Sequence, residues 1–251
     1  MSALTTSLIV CVLLIGGAFL GVLLRRLLPD HQLDGHAKDV VRLGCGLVAT
    51  ISGLVLGLLV SSAKTTYDTQ RDEVRQFTVN VMLLDQALER LGPRAQAGRV
   101  ALRAAVVGAI DRIWSDGSAA ERPKVFTTIP AGETAFFAIR SIAPSTDDER
   151  FFQNEALQAI TSILQARLIL FQQAGSAVPP ILLCILVFWL VVLFASFSLF
   201  SPLNPTALTA VIVFALSVSS AIFLILEMYQ PFAGVMQIDS TPLRQALAPI
   251  G

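Results

Sequence analysis

The two histidines of this 251-residue chain, His31 and His36, lie near Asp30, Asp34 and Asp39, the one place where a metal ion could be imagined. Imidazole and carboxylate are suitable zinc donors, but a separation of five does not put both rings on one helical face, and no other ligand spacing accompanies them. A solvated loop is the simpler reading. Cys11, Cys45 and Cys184 all fall inside apolar runs, so they form neither a zinc pattern nor a disulfide framework, and each is read as buried packing. The chain has no HExxH, no phosphate-cradling G-x-x-x-x-G-K-[ST] and no G-x-S-x-G elbow. The expectation is therefore no catalytic residue, no metal ligand, no cofactor and no enzyme. Glu227 is the remaining chemical candidate. It follows about twenty-one uncharged residues, which puts it at a membrane interface, either solvated or paired with Arg167, or acting as an ion-attracting vestibule group.

The elements that would position such groups are membrane helices. Hydrophobic residues make up 54% of the chain and charged residues 14%, with a mean hydropathy of +0.70, outside the soluble range. The formal charge is zero and the basic residues form no cluster, so no nucleic-acid partner is expected. The lipid bilayer is the expected partner. Leu8 to Leu24 is apolar and is followed by Arg25 and Arg26, the reverse of a secretory signal, and so reads as a retained first span. With Lys38 and Arg42, these arginines put the first loop in the cytoplasm, and the N-terminus and the later insertion on the periplasmic side. Lys64, Arg71 and Arg75 at the far end of the second span pull the other way.

From Leu43 to Ala63 there is no ionisable residue, and no Gly or Pro falls between Val60 and Leu91. One helix is thus expected to begin in the bilayer and leave it. About fifty residues at about 1.5 Å each would reach roughly 75 Å, and the hydrocarbon core takes about 30 Å of that. In the outer part Tyr67, Val74, Phe77, Val81, Leu84, Leu88 and Leu91 recur at steps of three, four or seven, a stripe that would pack on other helices of its own chain or form a central coiled coil between copies. Gly92-Pro93 ends this helix. A second runs from about Arg94 to Trp114, with Val100, Ala104 and Val107 and Leu102, Val106, Ile110 and Ile113 forming a broad apolar side. A loop with one extended piece at Val125 to Ile129 follows, then a short helix from about Thr134 to Ile142. The capping box Thr146/Glu149 opens a further helix toward Phe171.

From Leu168 to Leu226 no Asp, Glu, Lys, Arg or His occurs. Pro180 suits a helix start, Ile181 to Phe200 forms span three, Ser201 to Pro205 a tight turn, and Thr206 to Leu226 span four. Pro242 at the first helical position marks a small terminal helix. The fold class is all-α membrane protein, four transmembrane helices in two pairs with a helical extramembrane insertion between spans two and three. The segments are 1–63 (spans one and two), 64–173 (helical bundle), 174–228 (spans three and four) and 229–251 (interfacial tail). Since no span holds an ionisable relay, a passive pore is favoured over a pump. In span two, Gly46, Thr50, Gly53, Gly57 and Ser61 form a stripe of small residues, which would serve either close helix packing or the lining of a path shared by identical spans.

The segment Phe223 to Gly234 (FLILEMYQPFAG), followed by Ile238 and by Pro242-Leu243-Arg244, resembles the end of the bacterial bestrophin-like family of four-span membrane proteins. The resemblance extends to His36, to Arg167-Leu168 and the proline before span three, and to the arrangement of spans around a helical insertion. Within it, Arg167, Glu227, Pro231, Phe232 and Gly234 are the family-like tail and interface residues. The family is likened to bestrophins, pentameric anion channels with an apolar neck on the second span. What the resemblance implies is a homo-oligomeric passive channel for inorganic anions in a bacterial inner membrane. The competing expectation is a non-conducting scaffold or stress sensor whose outer bundle binds a partner.

Overall fold

Apolar runs without internal helix breakers become long helices, because a chain in hydrocarbon must satisfy its backbone polar groups internally. The computed structural model describes residues 2–27, 35–114, 130–173, 180–200 and 204–250, and no strand occurs among them. The helices are α1 (Ala3–Leu27), α2 (Gly35–Arg90), α3 (Gln96–Ile113), α4 (Pro130–Arg140), α5 (Asp147–Gln173), α6 (Pro180–Phe200), α7 (Pro205–Met228) and α8 (Thr241–Ala246), with a 3-10 turn at Gly92–Ala95. Four of them, α1, α2, α6 and α7, are long and apolar enough to cross a membrane. The second is one unbroken helix of 56 residues, as the missing breakers required. It ends where Gly92 takes φ 69°, a left-handed conformation that a side chain disfavours. His31, the extended piece at Val125 to Ile129 and the turn at Ser201 to Leu203 lie outside the described residues, as do the side chains of His36 and Arg167.

The chain divides into two compact units, Met1–Tyr67 with Ala177–Gln230, and Asp68–Ser176 with Pro231–Gly251. In the first, α1 packs on both α6 and α7. Its core is Val10, Leu14, Ala18, Leu186, Leu190, Phe194, Ala215, Ile222 and Ile225, joined by Leu59 and Ala63 of α2. The α1–α6 contact is set by two glycines four residues apart. A Cβ on Gly17 would come within 2.9 Å of Val191 Cγ1 and 3.0 Å of the Val191 carbonyl oxygen, and a Cβ on Gly21 would overlap the carbonyl oxygen of Ala195. This is small-xxx-small packing, in which missing side chains let two backbones touch. Between α1 and α7, the Ser219 hydroxyl donates to the Ser7 carbonyl at 2.6 Å.

The second unit is built on the outer stripe of α2. Phe77, Val81, Leu84, Leu88 and Leu91 are buried against Leu102, Val106 and Ile110 of α3, Ala135 and Ile139 of α4, and Ala156, Ile160 and Ile163 of α5. The heptad stripe therefore serves the core of its own chain. The apolar side read for α3 is divided, since Val100 and Val107 remain exposed. At the start of α5, the Glu149 N–H donates to Thr146 Oγ1 at 3.2 Å. The Glu149 carboxylate accepts from the Ser145 N–H at 2.6 Å and pairs with Arg94 at 3.4 Å. That backbone bond, aided by Arg94, holds the carboxyl below its ordinary range. The tail also joins this core: Leu243, Ala246 and Ile250 are buried in it.

Burial of all three cysteines is corrected in part. Cys11 is buried, Cys45 half-buried and Cys184 exposed. The core face of α6 carries Leu186, Leu190, Leu193 and Phe194, and two residues of helix put Cys184 on the opposite side, where the surrounding apolar medium serves as well as a core.

Candidate functional site

The small-residue stripe of α2 is turned away from the helices of its own chain that it packs on. Ser52, Leu59 and Ala63 are buried and Val55 and Leu56 half-buried, which marks the face that packs inward. Gly46, Thr50, Gly53, Gly57 and Ser61 are all exposed. At 3.6 residues per turn the two faces lie about 145° apart around the helix. A Cβ added at Gly46, Gly53 or Gly57 would meet nothing within 4 Å. Within one copy the stripe therefore makes no close helix contact. Of the four candidate spans, α2 buries the smallest share of its most apolar window, 11% against 22–33% for the others.

Three threonines of this helix bond back along it, whereas the buried Ser52 hydroxyl has no hydrogen-bond partner among the described residues. Thr50 Oγ1 donates to the Gly46 carbonyl at 2.9 Å, and Thr65 and Thr66 donate likewise to Ser61 and Ser62. Bonds of this kind let a hydroxyl sit in hydrocarbon without an orphaned proton. The side chain of Ser62 meets the Tyr229 hydroxyl at 3.1 Å, which ties the end of the α2 span to the end of α7. Glu227 is expected from the sequence to be an interfacial carboxylate. It is 5% exposed, in the last turn of α7.

The family-like tail residues hold a tight turn. Gly234 has φ 88°, and the Ile238 N–H closes back on the Pro231 carbonyl at 2.7 Å. Pro231 and Phe232 are buried. Trp114 clamps the turn: its Nε1–H donates to the Ile238 carbonyl at 2.7 Å, and its ring meets Phe232 edge-to-face at 5.6 Å. A second clamp holds the chain end. Arg99 makes a bidentate pair with buried Asp85, at 2.8 and 3.2 Å, and donates to the Pro249 carbonyl at 3.1 Å. Arg103 donates to the Ile250 carbonyl at 2.6 Å. The hydrogen bond to Asp85 raises the Arg99 pKa above its ordinary value.

Trp114, the Asp85–Arg99 pair and the Gly17/Gly21 contact did not emerge from sequence spacing. A signal existed for each: an indole N–H that needs an acceptor once buried, a carboxylate set beside the buried stripe position Leu84, and a small-xxx-small pair in span one. Among the described residues no group of three His, Cys, Asp or Glu side chains is arranged to hold a metal.

A bestrophin-like domain model matches residues 12–243. The fold is similar to crystal structures of two point mutants of a bacterial bestrophin homolog from Klebsiella pneumoniae. One is 15% identical with a TM-score of 0.69, covering 100% of this chain and 98% of that one. The other is 14% identical with a TM-score of 0.67, covering 97% of each. A membrane-protein crystal structure 13% identical in sequence has a TM-score of 0.68 and covers 98% of this chain and 99% of its own. No curated protein matches the chain.

Proposed function

The chain belongs to the bestrophin-like family, and from that premise we propose that it forms a homo-oligomeric pore, a passive path for inorganic anions in a bacterial inner membrane, with α2 nearest the axis. The observation that carries this reading is the bare stripe of α2. Four helices whose spans hold no ionisable side chain cannot line an aqueous path alone, whereas several copies of one small-residue face can surround one. Gly46, Gly53 and Gly57 keep that face narrow, and Thr50 and Ser61 supply oxygens along it. Because Thr50 gives its proton to Gly46, the atom it turns outward is an acceptor. Preference for anions must then be set elsewhere on the path. Arg25 and Arg26 in the last turn of α1 support a cytoplasmic first loop, with the N-terminus and the outer helical unit periplasmic.

The test is current through planar bilayers containing the purified protein under asymmetric chloride. Unitary conductance whose reversal potential follows chloride, and which changes when Thr50 or Gly53 is enlarged, supports the pore. A monomer in detergent counts against it. A second reading, a non-conducting scaffold or sensor, is favoured by apolar side chains exposed on the outer unit, among them Val79 at 53% and Phe151 at 65%. A silent bilayer holding verified oligomer shifts weight to that reading. Joint substitution of His31, His36 and Glu227 with no loss of any cellular activity would remove a membrane-enzyme reading.

A further inference from the structure

A groove of about 380 Å³ opens between α1, α6 and α7 inside the membrane unit, walled by Ile15, Phe19, Val22, Ala207, Leu208 and Ile212. Its volume lies in the range of sites that hold a small molecule. None of its lining residues belongs to α2, so the site is separate from the stripe assigned to the pore. The wall is almost wholly hydrocarbon and lies within three segments that cross the membrane, which makes an acyl chain the occupant that fits it.

One rim has a different character. On α1 the lining positions Ile15, Phe19 and Val22 step by four and three, and the next step of four along the same face is Arg26. Arg26 is exposed and lies in the last turn of α1. Gly17 and Gly21 lie against Val191 and Ala195 of α6 and Ser7 against Ser219 of α7, so the first residues of α7, with the lining positions Pro205, Ala207 and Leu208, lie toward the C-terminal end of α1. An apolar slot whose α1 face leads, one turn beyond its last lining residue, to a cation at the membrane boundary matches a molecule with a hydrocarbon tail and an anionic head.

We propose that this groove binds an anionic phospholipid, with one acyl chain along Ile15, Phe19 and Val22 and the phosphate at Arg26. A zwitterionic lipid would gain less from the cation, and a free phosphate would leave the groove empty.

The test is native mass spectrometry of the full chain in detergent with added phosphatidylglycerol or phosphatidylcholine. Phosphatidylglycerol should be retained in preference. Arg26→Gln should weaken its retention about fivefold, the factor that one basic side chain near an anionic headgroup is worth. Ala207→Trp, which fills the groove, should reduce retention of both lipids. Equal retention of the two lipids, or unchanged phosphatidylglycerol binding in Arg26→Gln, overturns the proposal. So does full competition by inorganic phosphate, which would assign the cation to a free anion. If Ala207→Trp does not fold, Arg26→Gln decides alone. Because the readout is lipid retention, either result leaves the conduction experiment to stand or fall by itself.

Discussion

Adding a single methyl group at Gly21 should push α1 away from α6. The new Cβ would lie 2.8 Å from the carbonyl carbon of Ala195 and 3.0 Å from its Cα, and would overlap the carbonyl oxygen. All three are backbone atoms, so no side-chain rotation relieves the clash. The two helices must separate along a contact that buries Leu14, Ala18, Leu190 and Phe194. Overpacking of this kind costs about 1–3 kcal/mol. Alanine also gains about 1 kcal/mol over glycine in a helix interior, which would hide part of the loss. Gly53→Ala supplies the control: it carries the same propensity gain, and nothing else of the described chain lies within 4 Å of the new atom. The stability difference between Gly21→Ala and Gly53→Ala therefore isolates the steric term, about 1–3 kcal/mol in favour of the latter. It is read from circular dichroism during SDS-driven unfolding of the full chain in detergent. Two variants within about 0.5 kcal/mol of each other, the usual scatter of neutral substitutions, would refute the close α1–α6 approach. A Gly53→Ala protein that unfolds normally yet elutes with less oligomer would show that the α2 stripe packs between copies.

Asp85→Asn should destabilise the outer unit by about 2–3 kcal/mol, somewhat below the usual cost of breaking a buried pair because Arg99 keeps some contact with water, and a denaturant midpoint measures it. Trp114→Phe leaves the Ile238 carbonyl without its 2.7 Å donor. The expected cost is about 1–2 kcal/mol, together with faster amide exchange in the Pro231 to Ile238 turn. For Glu149 the folded carboxyl lies below its ordinary 4.5, first because of the Ser145 N–H, so its contribution is complete above that pH and is lost as pH falls through the lowered value. Glu149→Gln should flatten the fall of the unfolding midpoint as pH drops below 4.5, and an unchanged slope would contradict this assignment.

The four spans were legible because hydropathy is a local property. An uncharged run of some twenty residues has one stable solution in a bilayer, and Pro180 and Pro205 mark where two of those solutions begin. The continuity of α2 followed from the missing breakers between Val60 and Leu91. The capped start of α5 followed from Thr146 and Glu149, and the outer core from the spacing of Phe77, Val81, Leu84 and Leu88. A period along a helix names a face without naming its neighbour. Both α1 and α2 carry small residues four apart, and only the packed structure distinguishes Gly17 and Gly21, pressed against α6, from Gly53 and Gly57, which face no other described part of the chain within 4 Å. The same holds for the tail. Its motif was visible, but its attachment to the outer unit depends on Trp114 and Arg99, more than a hundred residues earlier in the chain. Hydropathy and capping act within a turn or two of helix and are written in consecutive residues, whereas interhelical contact depends on which distant surfaces meet, and that is settled only when the whole chain packs.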